Sequence, residues 1–226
     1  MQQDIKPYIE DEFKKQFTDS PLHKRLVTDF DELIWNYNSD DFPYGTPRQH
    51  RGDENLKKTR FSVVPFYYLD FLTEKNPKNI YDLGCGWNIF KKYIPSIIGV
   101  GAEPPDREDF FADIHDYVDD DYIKGHQNYF ESVFSICALH FLPMSNIRKR
   151  VLDFASMVKP AGRGWVTFNA QRMLEHDPKM FMPQKELELW IRKELSNLPF
   201  TVLQFDMNLA KFDEGMNGNI RLVFEK

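Results

Sequence analysis

Asp82, Gly84 and Gly86 fall within the stretch NIYDLGCGWN, Asn79–Asn88. An apolar run leads into an acid, and two glycines then flank Cys85. A strand that ends in a glycine-rich turn lets backbone approach a ligand closely, because glycine has no side chain to obstruct it. A helix starting after such a turn adds unpaired N–H groups and a positive dipole end. The chemistry this spacing suits is the holding of a nucleotide-like ligand. A dinucleotide fingerprint needs G-x-G-x-x-G. Here Trp87, Asn88 and Ile89 follow Gly86, so the third glycine is absent, and an acid two residues before the first glycine is not part of that fingerprint. Plainer roles stay open: Asp82 can cap the next helix, and the two glycines can serve a tight turn alone.

The elements that must position these residues read as two regions. Residues 1 to 75 look helical. Ile9, Phe13 and Phe17 recur every four residues, Ser20 and Pro21 suit a helix start, and Leu22, Leu26, Phe30, Leu33, Ile34 and Tyr37 mark one face. A polar stretch from Asn38 to Arg60 follows, with Pro43, Gly45 and Pro47, and reads as a long loop. SVVPFYYLDFLTEKNP predicts one more helix. The second region is 76–226, and from Asn79 its strand and helix signals alternate: NIYDLG, WNIFKKYI, SIIGVGAE, DFFADI, FESVFSICAL, NIRKRVLDFASMVKP, GRGWVTFN and PQKELELWIRKELSNLP. Two terminal strand-like runs carry an Asn217-Gly218 turn signal. This order predicts a doubly wound α/β sheet with one antiparallel strand, preceded by an N-terminal helical extension.

Composition narrows the function classes. With 226 residues and 42% hydrophobic side chains, the chain can build a sizeable core, which argues against wholesale disorder. A formal net charge of −6 argues against broad electrostatic binding of nucleic acid. Cys85 and Cys137 lie in apolar segments, which suits a reducing, cytoplasmic compartment and gives no disulfide framework. Neither a C-x-x-C pair nor a close His pair suggests a metal site. No apolar run approaches the roughly 20 residues needed to span a bilayer.

At these residues the sequence resembles the class I (Rossmann-like) S-adenosylmethionine-dependent methyltransferases, over Asn79 to Asn169 and more loosely to the C-terminus. YDLGCGWN is similar to the family's first motif, D-x-G-x-G, with Asn88 where glycine is common; Asn tolerates unusual backbone angles. The resemblance implies S-adenosylmethionine as cofactor, bound by Asp82, Gly84, Cys85, Gly86 and Asn88 at this turn. In VGAEPP, Glu103 would bind the two ribose hydroxyls, and it follows Asp82 by 21 positions, close to the spacing of a ribose-binding acid. In ADIHD, Asp113 would meet the adenine amine and Ile114 the ring. FESVFSICALHFLP resembles the fourth strand and its turn, which adds Ser135 to the cofactor set and His140 as the candidate catalytic general base. MVKPAGRGWVTFN resembles a K-P-G-G turn with Ala161 in place of the first glycine. The family's sheet has seven strands, mostly parallel, with the last reversed. Only nine residues separate Glu103 from Asp113, where the family has a full helix, so a loop or single turn is expected there.

Bland readings stand beside these. Glu103 can be a solvated acid before a Pro-Pro break, Asp113 and Asp116 part of an acidic surface run, and His140 a packed histidine. Trp87, Phe90, Cys137, Trp190 and Phe200 read as packing. After the fourth strand neither an N-P-P-Y nor a Pro-Cys motif appears, so a small-molecule acceptor is expected rather than nucleic acid. Arg48, Arg51, Lys57, Lys58 and Arg60 make the 38–60 loop either a lid with anion contacts or a solvated loop. Three functions follow: methyl transfer to an O, N or C nucleophile; a non-catalytic protein that keeps the fold as a binding module; and a nicotinamide oxidoreductase, disfavoured by the missing glycine.

Overall fold

A computed structural model describes residues 21, 22, 24, 67–85, 89–101, 112–114, 120–136, 138, 139, 143–174, 177–212 and 215–226. The expected N-terminal helical faces and the 38–60 loop lie outside the described residues. The chain divides into two compact units, Asp11–Phe71 and a larger one of Met1–Glu10 with Leu72–Lys226. Helix α1, Tyr67–Thr73, crosses that division.

The larger unit is built on a mixed sheet. Its strands are β1 (Ile80–Leu83), β2 (Ile97–Gly101), β3 (Ala112–Ile114), β4 (Phe130–Ile136), β5 (Val158–Asn169), β6 (Thr201–Phe212) and β7 (Gly215–Glu225). They are ordered β3-β2-β1-β4-β5-β7-β6. The first five pair in parallel, and β7 lies between β5 and β6, antiparallel to both. The helices of this unit are α2 (Asp120–Gly125), α3 (Ile147–Met157), α4 (Ala170–Leu174) and α5 (Gln184–Glu194). The α/β alternation read from the sequence is present.

Both sheet faces are buried, as expected for parallel strands covered on two sides. On one face Val133, Val166, Phe168, Ile220, Leu222 and Phe224 meet the apolar stripes of α3 (Ile147, Val151, Phe154) and α5 (Leu187, Ile191). On the other, Phe134 stacks on Trp165 with ring centroids 5.7 Å apart, and Phe90 meets Phe134 edge-on at 5.8 Å. The buried Trp165 indole N–H donates to the Thr167 hydroxyl at 3.1 Å, so the ring is enclosed without an orphaned donor. Trp190 and Phe200, read as packing, are half-buried against the core.

Two local expectations change. WNIFKKYI was read as short and helix-like, and its described part holds one 3-10 turn, Ile89–Lys92, rather than an α-helix. The Tyr93 and Ile94 amides both donate to the Phe90 carbonyl, Pro95 has no amide to offer, and β2 begins at Ile97. No multi-turn helix dipole stands behind the glycine turn among the described residues. The Asn217-Gly218 pair was expected at the last reversal, but it lies within β7, opposite Ala210 and Leu209. The reversal falls between Phe212 and Gly215. Gly218 has φ 140°, which accounts for glycine there without a turn.

The junction of α3 and β5 is latched by the end of the chain. Ala161 adopts φ 60°, an uncommon angle outside glycine. Its N–H donates to the Lys226 carbonyl at 2.6 Å, and the Lys226 N–H donates to the Gly162 carbonyl at 3.0 Å. The Lys226 ammonium reaches Asn128 Oδ1 at 2.8 Å and the Val158 carbonyl at 2.9 Å.

Candidate functional site

Strand β1 is central. Asp82 pairs with Gly99 of β2 on one side and Phe134 of β4 on the other. The connection from β1 runs out to β2 on one side, whereas β4 flanks it on the other. The carboxyl end of β1 is therefore a topological switch point, where open α/β sheets leave a crevice for ligands.

Asp82 lies next to last in that strand and is only 4% exposed. No hydrogen bond to its carboxyl is found among the described residues. Burial alone pushes its pKa up to about 8. A buried carboxyl without a donor of its own suits a ligand that brings one, such as an ammonium or a hydroxyl.

The turn after Asp82 is fixed by β2 and by the segment after β4. The Gly84 and Cys85 N–H groups both donate to the Val100 carbonyl, at 2.7 and 3.1 Å. Gly84 has φ 81°, and a Cβ placed on it would stand 2.1 Å from the Ala138 Cβ. Glycine is thus required twice, for its backbone angle and for the approach of Ala138. These two amides are committed within the protein, so they form no free anion cradle. Cys85 is half-buried beside them.

Ser135 of β4 is fully buried, and its hydroxyl donates to the Leu83 carbonyl at 2.7 Å. It braces the end of β1 against β4. Ser132, lower on β4, donates to the Leu72 carbonyl of α1 at 3.0 Å. Asp113 and Ile114 pair through their backbones with Val100 and Gly101, which places them on the strand next to β2 at the same sheet edge. Their side chains lie outside the described set. Gly86, Asn88, Glu103 and His140 lie outside the described residues altogether. Asp82, Gly84, Cys85 and Ser135 are brought together around the end of β1, with β3 presenting Asp113 and Ile114 two strands away.

Three contributors were missed by sequence reasoning. Val100 supplies a carbonyl and Ala138 a methyl group, and neither has a local signal. Asp177 is the third. Its carboxylate accepts from the Ser145 N–H (2.8 Å), the Ser145 hydroxyl (2.8 Å) and the Lys179 N–H (2.8 Å). It thereby ties the segment after β4 to the segment after α4, both on the carboxyl edge of the sheet. Burial pushes the Asp177 pKa up, but the hydrogen bonds from Ser145 and Lys179 outweigh it and hold the group below the usual carboxylate value. Asp177 followed by Pro178 is a cap-and-first-turn pair that the sequence does display.

Among the described residues no cluster of His, Cys, Asp and Glu could hold a metal ion, and no helix is long and apolar enough to cross a membrane.

No family model matches the chain, and no curated protein matches it. The solved structures it is similar to include several S-adenosylmethionine-dependent methyltransferases. One, from Archaeoglobus fulgidus, is 16% identical, with a TM-score of 0.45 over 79% of this chain and 96% of that one. The N-methyltransferase NodS from Bradyrhizobium japonicum, solved with S-adenosyl-L-homocysteine, is 13% identical, with a TM-score of 0.45 over 92% of this chain and 99% of that one. The [4+2]-cyclase SpnF is 14% identical, with a TM-score of 0.44 over 70% of this chain and 79% of that one. At these identities and scores no shared function follows. The functional reading rests on the strand order and the Asp82–Gly84 turn.

Proposed function

We propose that the chain binds S-adenosylmethionine at the carboxyl end of β1 and transfers its methyl group to an O, N or C nucleophile on a small molecule, in a reducing, cytoplasmic compartment. The observation that carries this reading is Asp82: a buried carboxyl with no hydrogen-bond donor found for it among the described residues, two residues before a left-handed glycine, at the switch point of the sheet. When bound, S-adenosylmethionine supplies an electrophilic methyl on a sulfonium sulfur.

The residues fit that ligand in part. Asp82 offers an acceptor to the methionine ammonium, and Gly84, Cys85, Gly86 and Asn88 take the cofactor beside it. Glu103 takes the ribose hydroxyls, and Asp113 and Ile114 take the adenine. Ser135 acts through Leu83, holding the end of β1 in place. His140 accepts the proton that the nucleophile gives up as its bond to carbon forms. Binding at this site aligns the nucleophile with the methyl, and orientation of that kind accounts for most of the acceleration such a transfer needs.

A second reading is favoured by a specific observation. The Gly84 and Cys85 amides are both spent on Val100, and a single 3-10 turn follows where a helix would aim its N-terminus at the ligand. A protein that keeps the fold as a binding module, without turnover, has this arrangement. Calorimetric titration with S-adenosylhomocysteine, together with mass spectrometry of ligand released from gently purified protein, tests both. Saturable binding, weakened in Asp82→Ala, supports the cofactor site; no binding to the folded wild type overturns it. Binding without consumption of S-adenosylmethionine across a panel of small-molecule acceptors favours the second reading.

A further inference from the structure

The first turn of α3 holds Arg148, Lys149 and Arg150 and no acid. Cations there face the positive end of the helix dipole, the less favourable placement. The Asn146 side chain makes no capping bond. Arg148 is accounted for: it donates to the carbonyls of Glu194, the last residue of α5, and of Ser196 just after it. Lys149 is accounted for as well, pairing with Asp153 at 2.7 Å and Asp120 at 3.6 Å.

Arg150 differs. It is 7% exposed, and its Nε and Nη1 are enclosed without a hydrogen-bond partner. Asp153 and Asp120 are near enough to act on its charge, yet neither forms an ion pair with it among the described contacts. Asp177, the acid that serves the segment just before α3, is held by Ser145 and Lys179 instead. A helical side chain leans toward the N-terminus of its helix, which directs Arg150 back over the first turn of α3. That turn follows β4 and so lies on the carboxyl edge of the sheet. A buried guanidinium whose nitrogens meet no hydrogen-bond acceptor is costly, even with two carboxylates near it. Here it is added to a first turn that already carries two cations, and an arriving anion would offset both penalties.

We propose that Arg150 anchors an oxyanion-binding site at the first turn of α3, taking a phosphate or carboxylate group. The guanidinium fork suits either group, because both present two oxygens in one plane to paired donors. Arg150 takes no part in the cofactor reading.

Thermal melts of the full chain in sodium phosphate and in sodium malonate, against sodium chloride at equal ionic strength and pH, test the site. Exclusion of such salts from the surface raises Tm without saturation in any variant, so only the saturable part of the rise counts. The expected result is a saturable rise with at least one of the two anions, and the one that saturates at lower concentration identifies the group. Arg150→Met should melt no lower than wild type in chloride, since an enclosed unpaired charge is removed, and should lose the saturable rise. Arg150→Lys keeps the charge without the fork and should saturate at about tenfold higher concentration. No saturable rise with either anion, or the same rise in Arg150→Met, overturns the site. If Arg150→Met does not fold, Arg150→Lys decides, and an unmoved saturation point overturns the site.

Discussion

At neutral pH the Asp82 carboxyl carries a proton that an ordinary aspartate would have lost, because burial holds its pKa near 8. The folded chain therefore binds more protons than the unfolded one between the usual carboxylate range and about pH 8. Stability from this group is complete below that window and is lost as pH rises through it. Asp82→Asn should remove the slope, so denaturant melts should show the variant gaining on wild type as pH rises toward 8. A gap that does not change with pH would count against the protonated carboxyl. Gly84 gives a second expectation. Gly84→Ala forces a Cβ onto the Ala138 methyl in a left-handed backbone, at a cost of about 2–5 kcal/mol. The loss should appear in melts without any ligand. A Gly84 variant thus reports on the turn before it reports on binding, and Asp82 is the cleaner probe of the ligand.

Among the elements, the Asp177 clamp has the plainest consequence. Asp177→Ala removes the acceptor of three hydrogen bonds and a helical cap, and should cost about 1–3 kcal/mol. Amide hydrogen exchange should quicken in residues 143–146 and 177–182 while the β5–β7 ladder stays protected. A uniform change across the chain would argue against a local clamp. The strands and helices after Asn79 were legible because their apolar periods are clean: Ile147, Val151 and Phe154 repeat at helical spacing, and Phe130–Ile136 is a buried run. The last reversal was not legible. Asn-Gly carries the strongest short-range hairpin signal, yet the observed register pairs Phe205 with Leu222 of β7, both buried, and burial of that kind is a tertiary effect. The D-x-G-x-G stretch announced its turn in the same way. It could not announce that Ala138, 54 residues later, makes Gly84 irreplaceable, or that the Ser135 hydroxyl turns to Leu83. A hydroxyl on a buried strand has no sequence mark for which neighbour it will meet.

Across the whole molecule the sheet has a parallel part, β3 to β5, and an antiparallel part closed by β7. A chain stopped at residue 214 would leave β6 with no ladder partner among the described strands and would open one edge of β5. Expressed alongside the full chain, it should be found in the insoluble fraction, or as large assemblies in size-exclusion chromatography, as expected for long unpaired edges. A soluble monomer with the circular dichroism of the full chain would contradict this. The position of β7 also sets a clock on synthesis. The twelve residues of β6 leave the ribosome before the strand they pair with. At about 5–20 residues per second, the eleven residues of β7 take on the order of a second to add. Until β7 has emerged and paired, β5 keeps an open edge beside the parallel strands made before it, and in that interval a chaperone, or another unfinished chain, can reach that edge first.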